Sequence, residues 1–171
     1  NNSNPLLNRF IPNSSLDTIN PDWGTNDSYS SGHGTPMAGI ILYGNLSEAF
    51  DGTHSIKIFH DLESVKIINR SVANDPDLYG KVTQEAIARA EKINPDNKRI
   101  VCLAVTAPEN DHKGRPSSWS SSVDQIMFGS IEERNDKTLV ILSSGNTSLE
   151  QRLEYPLSND DVSINDPAQS F

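Results

Sequence analysis

Apolar positions divide this chain into short blocks with two different periods. Residues 1–32 are rich in Asn, Ser, Asp and Pro and show little periodicity, so they read as loop with a short strand near Phe10-Ile11. From His33 to about Tyr43 the spacing turns helical. Met37, Ala38, Ile40, Ile41 and Leu42 put apolar side chains nearly all round, which predicts a helix buried within the domain. Pro36 fits its first turn, where the backbone has no hydrogen bond to lose. Ile56–Phe59 and Val65–Ile68 have strand composition and are separated by the charged stretch His60-Asp61-Leu62-Glu63. A second helix is predicted over Thr83–Ile93, where Ala86, Ala90 and Ile93 form a stripe with Val82 until Asn94-Pro95 stops it. Ile100–Val105 reads as a continuous apolar strand and Thr106–Ser118 as a polar loop. A helix follows over Ser120–Glu133, with Trp119, Val123, Ile126, Met127 and Ile131 on one side. Thr138–Leu142 is a last apolar strand, ending at Ser143-Ser144-Gly145-Asn146.

Strands that are apolar on both faces and alternate with helices predict a mostly parallel sheet covered by helices, an α/β fold in three layers. In such sheets ligands sit beyond the carboxyl ends of the strands. That geometry places Thr106–Ser118 and Ser143–Thr147 on the functional rim.

Composition narrows the class of partner. The 171 residues suffice for one domain with a real core, and the net charge of -9 comes without any basic run. Nucleic acid and anionic membrane surfaces are therefore not expected partners. Cys102 is the sole cysteine, so no internal disulfide can form, and its place in an apolar strand predicts a buried, unreactive thiol. No apolar stretch approaches membrane-spanning length and no signal-peptide pattern is visible. The chain opens on Asn1 in loop-like sequence and ends at Ala168-Gln169-Ser170-Phe171 without a terminal helix, the expectation for a piece of a longer protein.

Two segments carry chemistry. Ser30-Ser31-Gly32-His33-Gly34-Thr35-Pro36-Met37-Ala38-Gly39 sets an imidazole between two glycines at the start of an apolar helix. The glycines at 32, 34 and 39 would let neighbouring backbone approach closely. Leu142-Ser143-Ser144-Gly145-Asn146 ends a parallel strand with small residues and a carboxamide, which can donate to a developing oxyanion. Alone, the first would be an ordinary structural histidine and the second an ordinary turn.

Together they resemble the subtilisin-like serine proteases, the subtilase family. GHGTPMAGI is similar to that family's histidine motif, with Pro36 where a second histidine is common, and LSSGN is similar to the segment carrying its oxyanion asparagine. The resemblance runs from His33 to Asn146 and implies a serine endopeptidase fold and chemistry. It implies His33 as general base and Asn146 as oxyanion donor, with no metal or organic cofactor. Val105 and Thr106 would pair with an extended polypeptide substrate, and Ser143, Ser144 and Gly145 would wall the pocket for the residue before the scissile bond. Ala104-Val105-Thr106 departs from the family's common Ser-Leu-Gly at that strand end.

The family's triad runs Asp, His, Ser along the chain, and subtilisin is the standard example of that order. Asp22-Trp23-Gly24 mimics the aspartate motif without a preceding apolar strand, and Asp17 and Asp27 fail the same test. No Gly-Thr-Ser-x-Ala segment follows Asn146. Residues 1–171 are thus expected to be a single partial catalytic domain, with the aspartate strand upstream and the serine helix downstream. The isolated piece is expected to be inactive and to self-associate along uncovered edges. Two rivals remain: a noncatalytic relative that binds peptide or partner, and a doubly wound small-ligand module. The latter lacks any phosphate-cradling G-x-G-x-x-G or G-x-x-x-x-G-K. The remaining histidines, His54, His60 and His112, lie in polar surroundings without metal-ligand spacing.

Overall fold

A computed structural model describes residues 4–27, 32–45, 47, 50–52, 56–107, 116–128, 138–143 and 145. The chain separates into two compact units, Asn1–Asn97 and Lys98–Phe171. Both have α/β character, and each holds a pair of parallel strands.

The first unit is organised by a turn that buries its own apolar side chains. Asn4 accepts the Leu6 N–H on its side chain and the Leu7 and Asn8 N–H groups on its carbonyl, winding the chain so that Leu7 and Ile11 point inward. These two are 2% and 1% exposed and meet Leu42 of helix α1 (Gly34–Tyr43) at 4%. Phe10, Leu16, Ala38, Tyr43, Ile58 and Leu62 pack around them. The Phe10 and Tyr43 rings meet edge-to-face at 6.1 Å, and the Tyr43 hydroxyl donates to the Leu6 carbonyl. Each fully buried aliphatic side chain here contributes about 1.5–3 kcal/mol.

Strand β1 is Leu16–Thr18 and pairs in parallel with β2, Ser64–Lys66, with Asp17 opposite Val65. Helix α2 (Tyr79–Ile93) packs on both strands through Gly80, Thr83 and Ile87. The buried Thr83 hydroxyl donates to the Tyr79 carbonyl at 2.9 Å, so burial leaves no unpaired polar atom there. A 3-10 turn, Pro76–Leu78, leads into the helix and is capped by Asp75, which accepts the Asp77 N–H, with Pro76 supplying the fixed φ of its first position. Arg89 then ties α2 to the end of β1. Its guanidinium bonds Glu85 one turn back at 2.8 Å, Asp17 at 3.3 Å and the Ile19 carbonyl at 3.4 Å. At the other end, Asn94 donates to Glu63 just before β2 at 2.6 Å.

In the second unit β3 (Ile100–Leu103) pairs in parallel with β4 (Leu139–Leu142), Leu103 lying opposite Leu142. Helix α3 is Ser118–Phe128. Its first turn is closed reciprocally: the Ser117 hydroxyl accepts the Ser120 N–H at 3.1 Å, and the Ser120 hydroxyl accepts the Ser117 N–H at 2.8 Å. Leu103, Val123 and Ile126 are the buried apolar side chains of this unit among the described residues.

Several expectations from the sequence are corrected. Phe10-Ile11 lies in the turn rather than in a strand, because Ile11 accepts its place in the core by donating to the Leu7 carbonyl. The first strand is Leu16–Thr18, where one apolar residue precedes two polar ones. Ile56–Phe59 is irregular, with no ladder partner among the described residues, and β2 is confined to Ser64–Lys66. Helix α1 is apolar all round but buries one stripe, Gly39 and Leu42, while Ile40 is 53% exposed. Cys102 is exposed. Strand alternation puts it on the face of Ile100, which is 68% exposed, opposite the face of the buried Leu103. Residues 129–133 of the predicted third helix lie outside the described residues.

Candidate active site

His33 occupies the position before the first residue of α1, with φ -54° and ψ -39°, and is exposed. The local sequence makes this possible in two ways. Gly32 has φ +96°, a left-handed conformation that turns the chain into the helix and that a side chain would strain. The helix then starts on Gly34-Thr35-Pro36 and stops at Gly44, whose N–H returns to the Ile40 carbonyl at 2.8 Å.

The first turn of α1 is capped from a distance. The half-buried Asp27 carboxylate accepts the Thr35 backbone N–H at 2.6 Å and the Thr35 hydroxyl at 2.7 Å on one oxygen. A carboxylate here also meets the positive end of the helix dipole. The same group is the nearest neighbour of both glycines around His33, although only Gly32, by its positive φ, requires the absence of a side chain. A Cβ on Gly32 or on Gly34 would lie 3.5 Å from Asp27 Oδ2. The close neighbour at these positions is therefore a side-chain carboxylate, not the passing backbone that the sequence suggested. Gly39 is buried in the helix.

The second unit assembles the other candidate residues. Because β3 and β4 are parallel and in register, the residues after Leu103 and after Leu142 leave at the same end of the pair. The Ser143 N–H donates to the Leu103 carbonyl at 3.2 Å, extending the ladder by one bond. This brings Val105, half-buried, and Thr106, exposed, to the same rim as Ser143 and Gly145. Gly145 has φ +106°, and its N–H lies 3.4 Å from the Ser143 hydroxyl that accepts it. Ser144 and Asn146 lie outside the described residues. His33 belongs to the first unit and this rim to the second.

With this arrangement in view, the sequence profile of the subtilase family (peptidase S8) matches residues 1–170. The chain belongs to the subtilase family. No curated protein and no solved structure matches it. Subtilases are serine endopeptidases, so hydrolysis of peptide bonds is the general chemistry of the family to which the chain belongs.

Two residues escaped sequence reasoning. Asp27 stands eight positions before Thr35, beyond the three-residue reach of a local capping motif, so no local rule marks it. Lys66, at the end of β2, donates to the Trp23 carbonyl at 3.1 Å and the Asn26 carbonyl at 2.9 Å, which only the folded chain reveals. Of the remaining histidines, His60 is exposed and its Nε2 lies 3.1 Å from the Ile41 carbonyl, while His54 and His112 lie outside the described residues. Among the described residues no group of three or more His, Cys, Asp or Glu is placed to hold a metal ion, and no helix is long and apolar enough to cross a membrane.

Proposed function

We propose that this chain is the central part of a subtilase catalytic domain in which His33 is the general base and Asn146 the oxyanion donor. The nucleophilic serine and the triad aspartate would come from polypeptide outside residues 1–171. In the complete enzyme the serine oxygen attacks the scissile carbonyl carbon as His33 takes the hydroxyl proton. Asn146 donates to the oxygen that becomes negative. Collapse of the tetrahedral intermediate breaks the C–N bond, and the imidazolium returns the proton to the departing amine. Water repeats the sequence on the acyl-enzyme and releases the acid.

Val105 and Thr106 on one side, and Ser143, Ser144 and Gly145 on the other, would bind the extended substrate between them. The single observation that supports this reading most is the parallel register by which Val105 and Thr106 leave the strand pair at the same end as Ser143 and Gly145, in a chain of this family. Residues 1–171 alone would not hydrolyse peptides.

His33→Ala in the complete enzyme tests it. Turnover of a chromogenic peptide should nearly vanish while the circular dichroism spectrum stays native. Near-normal kcat would show that His33 is structural. Labelling of the isolated 171 residues by a fluorophosphonate, lost on changing one serine, would overturn the assignment of the nucleophile to another segment. Such labelling of the complete protein is expected, and its absence would favour a noncatalytic binding domain.

A further inference from the structure

We propose that Asp27 is a positioning residue for His33, acting through Thr35 and through the backbone on both sides of the imidazole. The proposal rests on the reading of His33 as general base. Asp27 lies six residues before His33 and bonds two residues after it, so its carboxylate closes a loop that encloses the histidine. One oxygen holds both the N–H and the hydroxyl of Thr35, at 2.6 and 2.7 Å. The carboxylate also lies against Gly32 and Gly34, 3.5 Å from the site of a Cβ on each. The segment after His33 is thereby bonded to Asp27, and the glycines on either side of the histidine lie beside the same carboxylate.

That group is itself held. Lys66 ends β2 and donates to the carbonyls of Trp23 and Asn26, the latter directly before Asp27. Strand β2 is fixed in turn by its parallel pairing with β1 and by α2 packed on it. A continuous path of bonds therefore runs from the sheet through Lys66 and the 23–26 loop to Asp27 and Thr35. Misplacement of a catalytic group by about 1 Å can cost about 10²-fold in rate, so a clamp of this kind has a kinetic consequence.

The test uses the complete enzyme with Asp27→Ala, Asp27→Asn, Lys66→Met, His33→Ala and the Asp27→Ala/His33→Ala double variant. Asp27→Ala should lower kcat about tenfold or more with KM changed less than about threefold. Asp27→Asn should return kcat to within about threefold of the parent, because a carboxamide oxygen still accepts from Thr35. The double variant should be no slower than His33→Ala, since a residue acting through the base has nothing left to position. Lys66→Met keeps the Asp27 carboxylate but removes the two bonds that hold the 23–26 loop before it, and it keeps the proposal testable if Asp27→Ala does not fold. It should lower kcat about threefold at unchanged KM.

A kcat within about twofold of the parent in Asp27→Ala, or in Lys66→Met where the alanine variant does not fold, would overturn the proposal. So would a double variant slowed by the full single-variant factor. Near-normal kcat in His33→Ala would instead overturn the base assignment itself and this proposal with it.

Discussion

Alanine on either side of His33 should have opposite effects on stability, although the sequence presents Gly32 and Gly34 symmetrically. Gly32 has φ +96°, where a Cβ is strained whatever space surrounds it. Holding a non-glycine residue in such a region costs about 1–3 kcal/mol, offset by about 0.4–1 kcal/mol from the less flexible unfolded chain. A net loss of about 1–2 kcal/mol follows, and for a chain of this length it lowers Tm by about 2–8 °C. Gly34 is the first residue of α1 and has no positive φ. A Cβ there meets the Asp27 carboxylate at 3.5–3.7 Å, ordinary contact that displaces nothing. Gly34→Ala should therefore be neutral or stabilising by up to about 1 kcal/mol. Urea denaturation followed by circular dichroism separates the two, and unchanged m-values would show that the surface exposed on unfolding is the same in both variants. Equal losses in both variants, or a larger loss for Gly34→Ala, would refute the backbone conformations assigned to the two glycines.

Three further outcomes are expected. Leu42→Ala removes a side chain only 4% exposed from the cluster with Leu7 and Ile11 and should cost about 2–5 kcal/mol in the same denaturation assay. In the complete enzyme Asn146→Ala should lower kcat by about 10²–10³ with little change in KM, the range known for subtilisin's own oxyanion asparagine. Asn146→Asp should be at least as damaging, and steady-state kinetics showing near-normal kcat in the Asp variant would leave Asn146 a turn residue. The isolated 171 residues should self-associate, because Ile100, Leu139, Ile141 and Leu142 are 45–68% exposed on a two-stranded sheet. Light scattering that reports a monomer across micromolar concentrations would contradict this.

The sequence by itself determined the elements whose periodicity is strong and local. The helix read over Thr83–Ile93 is there because a 3.6-residue stripe recurs and Asn94-Pro95 ends it, though α2 begins one turn earlier at Tyr79. Strands β3 and β4 appear because IVCL and TLVIL are too short and too β-branched for a helix. The start of α1 at the histidine segment was legible as well, since Gly34-Thr35-Pro36 opens an apolar run at helical spacing. What tertiary structure alone decided is everything that depends on partners distant in sequence. Leu16–Thr18 is a strand only because β2 lies beside it, more than 40 residues later, and its own composition is too polar to announce it. Whether an apolar side chain is covered also depends on what packs against it. Cys102 and Ile40 are apolar by sequence and exposed in the fold for that reason. Asp27, dismissed as a triad acid, became the cap of α1 because the chain folds back over eight residues to deliver it. Local patterning encodes the backbone's short-range preferences; a hydrogen bond between remote residues exists only once the topology has brought them together.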